Sequence, residues 1–285
     1  MHSGFGSALI ALSLATTAQA DPISTPWQHD APWFGGWSGI DVSDEVTAEG
    51  RPFTAVSDRG HLVTGTLRFD AAGQRITITD NAPLRDTDGG LLSGPRSDSE
   101  DLAIAADGTI YISFEGEPRV QGQRGLHGQP FALPNHSDFA TLPSNRALEA
   151  LAIDTNGALF ALPEGGNSDG FPVYRLPAGA DAWQIAFTLP RDGRLWMVTS
   201  ADFGQDGRLY VLERALMGIG FRSRIRSMAS DGTDLRVEVT TALGQFGNLE
   251  GLSIWQDGPH RMATMVADDN FSQLFPSQIV TLTLD

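Results

Sequence analysis

The chain has 285 residues, 35 of them acidic and 19 basic, for a formal net charge of −16, and every basic residue is arginine. The lack of lysine excludes a Schiff base and a P-loop lysine, and the lack of cysteine excludes a thiol nucleophile, a disulfide and a zinc–thiolate site. So acidic a chain argues against nucleic acid or an anionic membrane held through the overall field, while a hydrophobic content of 41% suffices for a packed core.

Residues 1–20 carry no Asp, Glu or Arg, hold an apolar run from Ala8 to Ala15 and end Ala18-Gln19-Ala20. That is the small-x-small ending of a signal peptide cleaved before Asp21, although His2 is the only potentially positive residue ahead of the run. A frayed N-terminal helix is the alternative. The run is too short to span a bilayer as a helix, and no other stretch is long and apolar enough. The expectation is an exported protein, periplasmic or secreted, monomeric, without a membrane span, whose residues 21–285 form one domain.

From there the chain reads as nearly all β. Short runs rich in β-branched and aromatic residues follow Asp-Gly or Asn-Gly turns. Asp107-Gly108 precedes Thr109-Ile110-Tyr111-Ile112, Asn156-Gly157 precedes Ala158-Leu159-Phe160, and Asp206-Gly207 precedes Arg208-Leu209-Tyr210-Val211. No segment sustains a 3.6-residue apolar period.

The runs repeat. A degenerate first copy extends from Gly36-Trp37-Ser38-Gly39-Ile40 to Val56-Ser57-Asp58-Arg59. The next begins Ser99-Glu100-Asp101-Leu102-Ala103-Ile104 and ends at Glu115; a third begins Leu148-Glu149-Ala150-Leu151-Ala152-Ile153 and ends at Glu164. A fourth runs through Ala201-Asp202 and Asp206-Gly207 to Glu213-Arg214, and a fifth from Asn248-Leu249-Glu250-Gly251-Leu252 to Asp268-Asp269. A period of about fifty residues built from short strands indicates a β-propeller. Five copies plus a blade shared by the terminal segments predict six blades; a β-sandwich is the alternative, but it does not require the period.

Two-residue hairpins centred on Asp107-Gly108 and Asn156-Gly157 put Glu100 opposite Glu115 and Glu149 opposite Glu164, with Ser200 opposite Glu213 in the fourth copy. Like charges so placed repel, so a bound cation, a nearby arginine or a shared proton has to compensate, unless a bulge breaks the register. If these hairpins are innermost, Asp58, Glu100, Glu115, Glu149, Glu164, Glu213, Glu250 and Asp268 form an acidic ring at one end of the channel. Such an oxygen-rich ring suits a hard cation such as Ca²⁺. Arg59, Arg119 and Arg214 accompany these acids and could hold an anionic group, or simply pair locally.

Other chemistries find no motif. There is no His-Glu-x-x-His, and Gly36-Trp37-Ser38-Gly39 lacks both the final glycine and the following helix of a nucleophile elbow. His136, in what reads as a long loop from Gly116 to Arg146, is the best lone candidate for a scattered triad, although a polar loop histidine is the usual explanation.

Taken together, the segments Gly36–Ile40, Val56–Gly60, Asp98–Ala103, Ser113–Glu115 with Arg119, Asn145–Ala152, Leu209–Arg214, Asn248–Leu252 and Val266–Phe271 resemble the phytase-like "esterase-like activity of phytase" family of exported bacterial β-propellers. The resemblance spans nearly the whole mature chain. It departs from the usual pattern at Asn145-Arg146-Ala147, where glycine more often precedes Leu-Glu, and at Trp37-Ser38. The family name implies hydrolysis of an ester or phosphoester without fixing a mechanism. Joined to the acidic ring, it gives the expectation of a Ca²⁺-dependent hydrolase of a small anionic substrate, with Glu149, Glu250 and Glu100 at the reacting group and Arg59, Arg119, Arg214 and Asn270 against the substrate. The lysine-assisted phosphate site of the calcium-dependent propeller phytases is not available to a chain without lysine. A non-catalytic ligand- or partner-binding propeller with structural Ca²⁺ and a lactonase-like sugar-acid enzyme are the alternatives, because a fold does not fix a function.

Overall fold

The computed structural model describes residues 21–71, 73–143, 145–218, 220–269 and 276–284. They form five four-stranded antiparallel sheets. A short N-terminal strand, β1 (Ile23–Pro26), precedes the first, which comprises β2 (Trp37–Val42), β3 (Arg51–Ser57), β4 (His61–Asp70) and β5 (Gly73–Pro83). The second comprises β6 (Ser99–Ile104), β7 (Thr109–Phe114), β8 (Arg119–Arg124) and β9 (Phe131–Ala132). The third comprises β10 (Leu148–Ile153), β11 (Leu159–Pro163), β12 (Phe171–Leu176) and β13 (Gln184–Leu189). The fourth holds β14 (Met197–Phe203), β15 (Arg208–Met217), β16 (Gly220–Ala229) and β17 (Arg236–Thr240). The fifth holds β18 (Asn248–Asp257), β19 (His260–Asp268) and β20 (Gln278–Thr283), with β1 on its outer edge.

Each sheet corresponds to one sequence copy, and adjacent sheets pack face to face around a ring. Apolar clusters fill all five interfaces: Leu162 and Val211 meet between the third and fourth sheets, Tyr210 and Leu252 between the fourth and fifth, and Trp37 and Val266 between the fifth and first. Val56 and Leu102 join the first and second, Val120 and Leu151 the second and third. Because both faces are covered, the innermost strands are buried along most of their length, and Leu148–Ile153 is apolar at all but Glu149. This is a β-propeller, and the closed ring displaces the sandwich alternative.

The expected sixth blade is replaced by a shared fifth. The last copy supplies three strands and leaves β20 with an open edge, and β1 pairs there in register, Thr25 opposite Ile279. Among the described residues no sixth sheet is present. The expected signal peptide, residues 1–20, lies outside the described residues. The supposed long loop from Gly116 to Arg146 is partly sheet, since β8 and β9 lie in it, and His136 caps the 3₁₀ turn Ser137–Thr141 by accepting the Asp138 N–H.

The inner hairpins differ from the predicted two-residue form. Ala105 N–H donates to Thr109 O and Gly108 N–H to Ala105 O, both at 2.9 Å, with Gly108 at φ +82°, which makes a three-residue loop. The third and fourth sheets use the same turn at Gly157 and Gly207. Each inner strand then carries a bulge that shifts the pairing by one residue, and it falls at Ser38, at Glu100-Asp101, at Glu149, at Thr199 and at Glu250. Glu115 N–H therefore donates to Asp98 O and Glu164 N–H to Ala147 O, both at 2.9 Å, while Val198 faces Glu213. The expected Glu100–Glu115, Glu149–Glu164 and Ser200–Glu213 pairings are not formed.

Beneath the bulges the inner strands converge. A Cβ placed on Gly39 would lie 2.9 Å from both Cα and Oδ1 of Asp101, and one on Gly251 would lie 2.9 Å from Gly39 Cα. Gly39→Ala is accordingly expected to cost about 1–3 kcal/mol through overpacking, read as a lower urea midpoint at unchanged slope.

Candidate functional site

The bulges set the site. An extra residue in the innermost strand re-aims its side chain toward the axis, and the second strand delivers its next residue to the same end. The bulge side chains are Ser38, Glu100, Glu149 and Glu250, and their second-strand companions are Asp58, Glu115, Glu164, Arg214 and Asp268. With Asp98 and Asn145 they line a cavity of about 320 Å³ at one end of the axis. Eight carboxylates thus face one guanidinium.

Seven of the eight expected ring acids are there. Glu213 is not, because it stands six residues after its turn glycine, Gly207, whereas Glu115 and Glu164 stand seven after Gly108 and Gly157, so its side chain points to the other face of its strand. It is wholly buried inside the fourth sheet, where its carboxylate accepts hydrogen bonds from Arg224 Nε and Arg226 Nη2, each at 2.7 Å. Arg214 takes the ring position instead. The acid that was not anticipated is Asp98, which is legible afterwards because it stands two residues before Glu100 on the same strand face.

The three carboxylates of Asp98, Glu100 and Glu115 each offer an oxygen within 4.8 Å of the others. Asp98 and Glu100 are in hydrogen-bonding contact, as are Glu115 and Glu149. Two carboxylates can meet in that way only if a proton or a cation lies between them. Burial, reinforced by Glu250 and Asp98, pushes Glu100 well above the usual carboxylate range; burial with Glu100 and Glu164 does the same to Glu149. Burial lifts Glu115 to about 7, and burial together with Glu250 lifts Asp58 to about 7. Asp58 Oδ1 is also buried without a hydrogen-bond partner.

Arg214 spans the opposite side of the funnel. It donates to Glu164 Oε1 at 3.0 Å, to Glu250 Oε1 and to Asn248 Oδ1. Burial alone lowers a guanidinium, but Glu250, Glu149 and Glu164 outweigh it and hold Arg214 above its ordinary value.

The other expected substrate arginines are spent elsewhere. Arg59 donates to Phe34 O at 3.0 Å and lies 3.9 Å from Asp269. Arg119 lies over the Phe114 ring and donates to Gln121, Glu117 and Arg96. Neither lines the funnel. Asn270 lies outside the described residues.

Asp101 had been no candidate, yet it closes the axis below the funnel. Its carboxylate accepts Leu102 N–H (2.9 Å), Leu151 N–H (3.0 Å), Ala201 N–H (3.2 Å) and Ser200 Oγ (2.8 Å), tying three sheets together. Ser200 Oγ in turn accepts Leu252 N–H from the fifth sheet at 2.9 Å.

Comparison with known proteins gives a family and a fold. A family model described as "Phytase-like: Esterase-like activity of phytase" matches residues 32–271. No curated protein matches the chain. Among solved structures, the α-L-arabinofuranosidase from Podospora anserina in complex with cellotriose is similar at 12% identity and a TM-score of 0.51, covering 93% of this chain and 95% of that one. The calcium-binding protein regucalcin from Agrobacterium tumefaciens matches at 12% identity and a TM-score of 0.48, covering 87% and 90%. Virginiamycin B lyase from Staphylococcus aureus matches at 12% and 0.47, covering 93% and 100%.

Proposed function

The chain belongs to the phytase-like family named for esterase-like activity of phytase, and on that premise we propose that it is a cation-dependent hydrolase of a small anionic ester or phosphoester, working in the acidic funnel. The observation that carries this is the grouping of Asp98, Glu100 and Glu115 within 4.8 Å. An all-oxygen donor set of this kind fits Ca²⁺, and the unpartnered Asp58 Oδ1 marks further capacity at the same wall. When bound, such an ion offsets the crowded negative charge and polarises an ester or phosphoryl oxygen.

The remaining roles fall to the chain's own groups. Arg214 is the one cation lining the cavity among the described residues, so the anionic end of a substrate lies toward the fourth sheet, against its guanidinium. Glu149 and Glu250 are both raised above the ordinary carboxylate range by burial, which suits a carboxyl that keeps a proton for a leaving alcohol oxygen. Asn248 donates to Glu250 and fixes its orientation. Cleavage of residues 1–20 and residence of a monomeric 21–285 domain in the periplasm or outside the cell complete the proposal. Extracellular calcium modules work with dissociation constants of about 10⁻⁴–10⁻³ M, in keeping with such a location.

Turnover of an aryl phosphate, an aryl ester or phytate is expected with Ca²⁺ and is lost in EDTA. Glu115→Gln is expected to lower it by about two orders of magnitude, within the range of acid–base and charge-stabilising groups. Ca²⁺ at a hundred times its dissociation constant adds about 2.7 kcal/mol to stability, seen as a rise in Tm that Glu149→Gln reduces. Absence of turnover on all three substrates in both conditions would overturn the hydrolase, and an unmoved Tm would overturn the cation site.

A further inference from the structure

A second cavity opens on the same end of the propeller. It has a volume of about 430 Å³ and lies between the tip of the β15–β16 hairpin, the segment 243–247 and Pro276. Met217, Phe221, Leu243, Phe246 and Pro276 give it an apolar wall. Met217 and Leu243 are 39% and 56% exposed, so among the described residues the cleft presents apolar surface. The amide groups nearby do not make it polar: Gln245 Oε1 accepts Ala242 N–H at 2.9 Å, and Gln278 Oε1 accepts the Ser24 hydroxyl at 2.7 Å.

Its position relative to the funnel gives the cleft a meaning. β15 carries Arg214 into the funnel and, three residues on, Met217 into the cleft, a separation of about 10 Å along a strand. The other wall shows the same continuity. Gly247 lines the cleft, and its neighbour Asn248 bonds to Arg214 and Glu250. The guanidinium thus lines the charged cavity, and both chain segments that hold it lead on to the wall of the apolar one. Neither wall belongs to the second or third sheet, so the cleft lies on the side of the funnel on which the anion-holding group lies.

We infer that this cleft holds the apolar part of the substrate, so that the natural substrate is an amphiphile: an anionic ester or phosphoester head in the funnel and an alkyl or aryl group between Met217, Phe221, Leu243 and Phe246. The inference rests on the hydrolytic reading of the funnel and specifies its substrate class. Each methylene withdrawn from water into such a cleft strengthens binding about fourfold, and the exposed side chains that provide the surface can be changed without touching the core.

The test is calorimetric binding of methyl phosphate and octyl phosphate, below the micellar concentration, to the Ca²⁺-loaded protein, in wild type and in a Met217→Gln/Leu243→Gln double variant. Octyl phosphate is expected to bind wild type at least tenfold more tightly than methyl phosphate. The double variant is expected to lose that gain while its methyl phosphate affinity is unchanged. Equal binding of the two phosphates to wild type overturns the amphiphile assignment and leaves the funnel intact. Binding of neither removes the funnel as an anion site and this inference with it. A dimer in wild type that becomes a monomer in the double variant, with no dependence on chain length, assigns the cleft to a second copy of the chain and likewise overturns the proposal.

Discussion

Asp101→Ala is expected to destabilise the propeller by about 4–6 kcal/mol, the largest effect of any single substitution considered. The carboxylate accepts four hydrogen bonds from three sheets, and alanine leaves three backbone N–H groups and the Ser200 hydroxyl without it. A buried donor left unsatisfied costs about 1–3 kcal/mol; the offset is relief from keeping a carboxyl that burial drives above its ordinary range. A Cβ on residue 39 would still lie 2.9 Å from Asp101 Cα, so the space is not refilled by a larger neighbour on that side. An asparagine in the same place is only a partial replacement, because one of its amide positions is a donor facing donors, so Asp101→Asn is expected to lose about half as much. For a chain of this size the alanine variant corresponds to a Tm lower by about 10 °C or more. Calorimetry in Ca²⁺ and in EDTA checks it: a loss below about 1 kcal/mol in both would show that the axis is held by the apolar interfaces alone.

The fold was legible because its determinants are local and repeated. Alternating apolar runs, Asp-Gly and Asn-Gly turns and a constant interval specify strands, hairpins and blade number up to the last one. The terminal segments do share a blade, as expected, but Ile23–Pro26 completes the fifth rather than opening a sixth; four residues next to a Pro-rich stretch carry no pattern that shows which sheet edge they join. The acidic end was legible for the same reason, but its membership depended on register. A symmetric hairpin gives Glu100 opposite Glu115; a glycine-closed three-residue loop followed by a bulge gives Asp98 opposite Glu115. In the fourth sheet the position seven residues after the turn glycine is Arg214, not Glu213, and because strand side chains alternate this turns a uniform acidic ring into one with a cation on one side. Asp101 was hidden differently. Its role depends on Leu151, Ser200 and Ala201, which are distant in sequence and apolar or small, and nothing about an aspartate in Ser-Glu-Asp-Leu distinguishes a surface acid from an axial one.

The end of the axis away from the funnel gives the second large effect, and its sign is opposite. Asp41 on β2 and Asp202 on β14 lie there, with Asp44 nearby. Among the described residues only the funnel gathers three ligand oxygens within 4.8 Å, so this end lacks the donor set that would hold a compensating cation. Burial, with Asp44, lifts Asp41 to about 7, and burial with Asp41 pushes Asp202 well above the ordinary range. Ile104 N–H, which bonds to Asp41, and the N–H groups of Phe203 and Ile254, which bond to Asp202 at 2.7 and 2.6 Å, compensate only in part. A carboxyl raised on folding binds more protons in the native state than in the unfolded one. Its contribution to stability is therefore fully present below about pH 4 and is lost as pH rises through 7. Asp41→Asn keeps an acceptor for Ile104 and removes the charge. Its advantage over wild type is expected to be near zero at pH 4, to grow by about 1.4 kcal/mol per pH unit and to level off at about 4 kcal/mol above pH 7. Urea unfolding of both proteins at pH 4 to 8 in EDTA measures that difference directly, together with the relief of Asp202, which Asp41 raises. A difference that stays constant across the range, or shrinks toward pH 8, would show that Asp41 ionises as an ordinary surface acid.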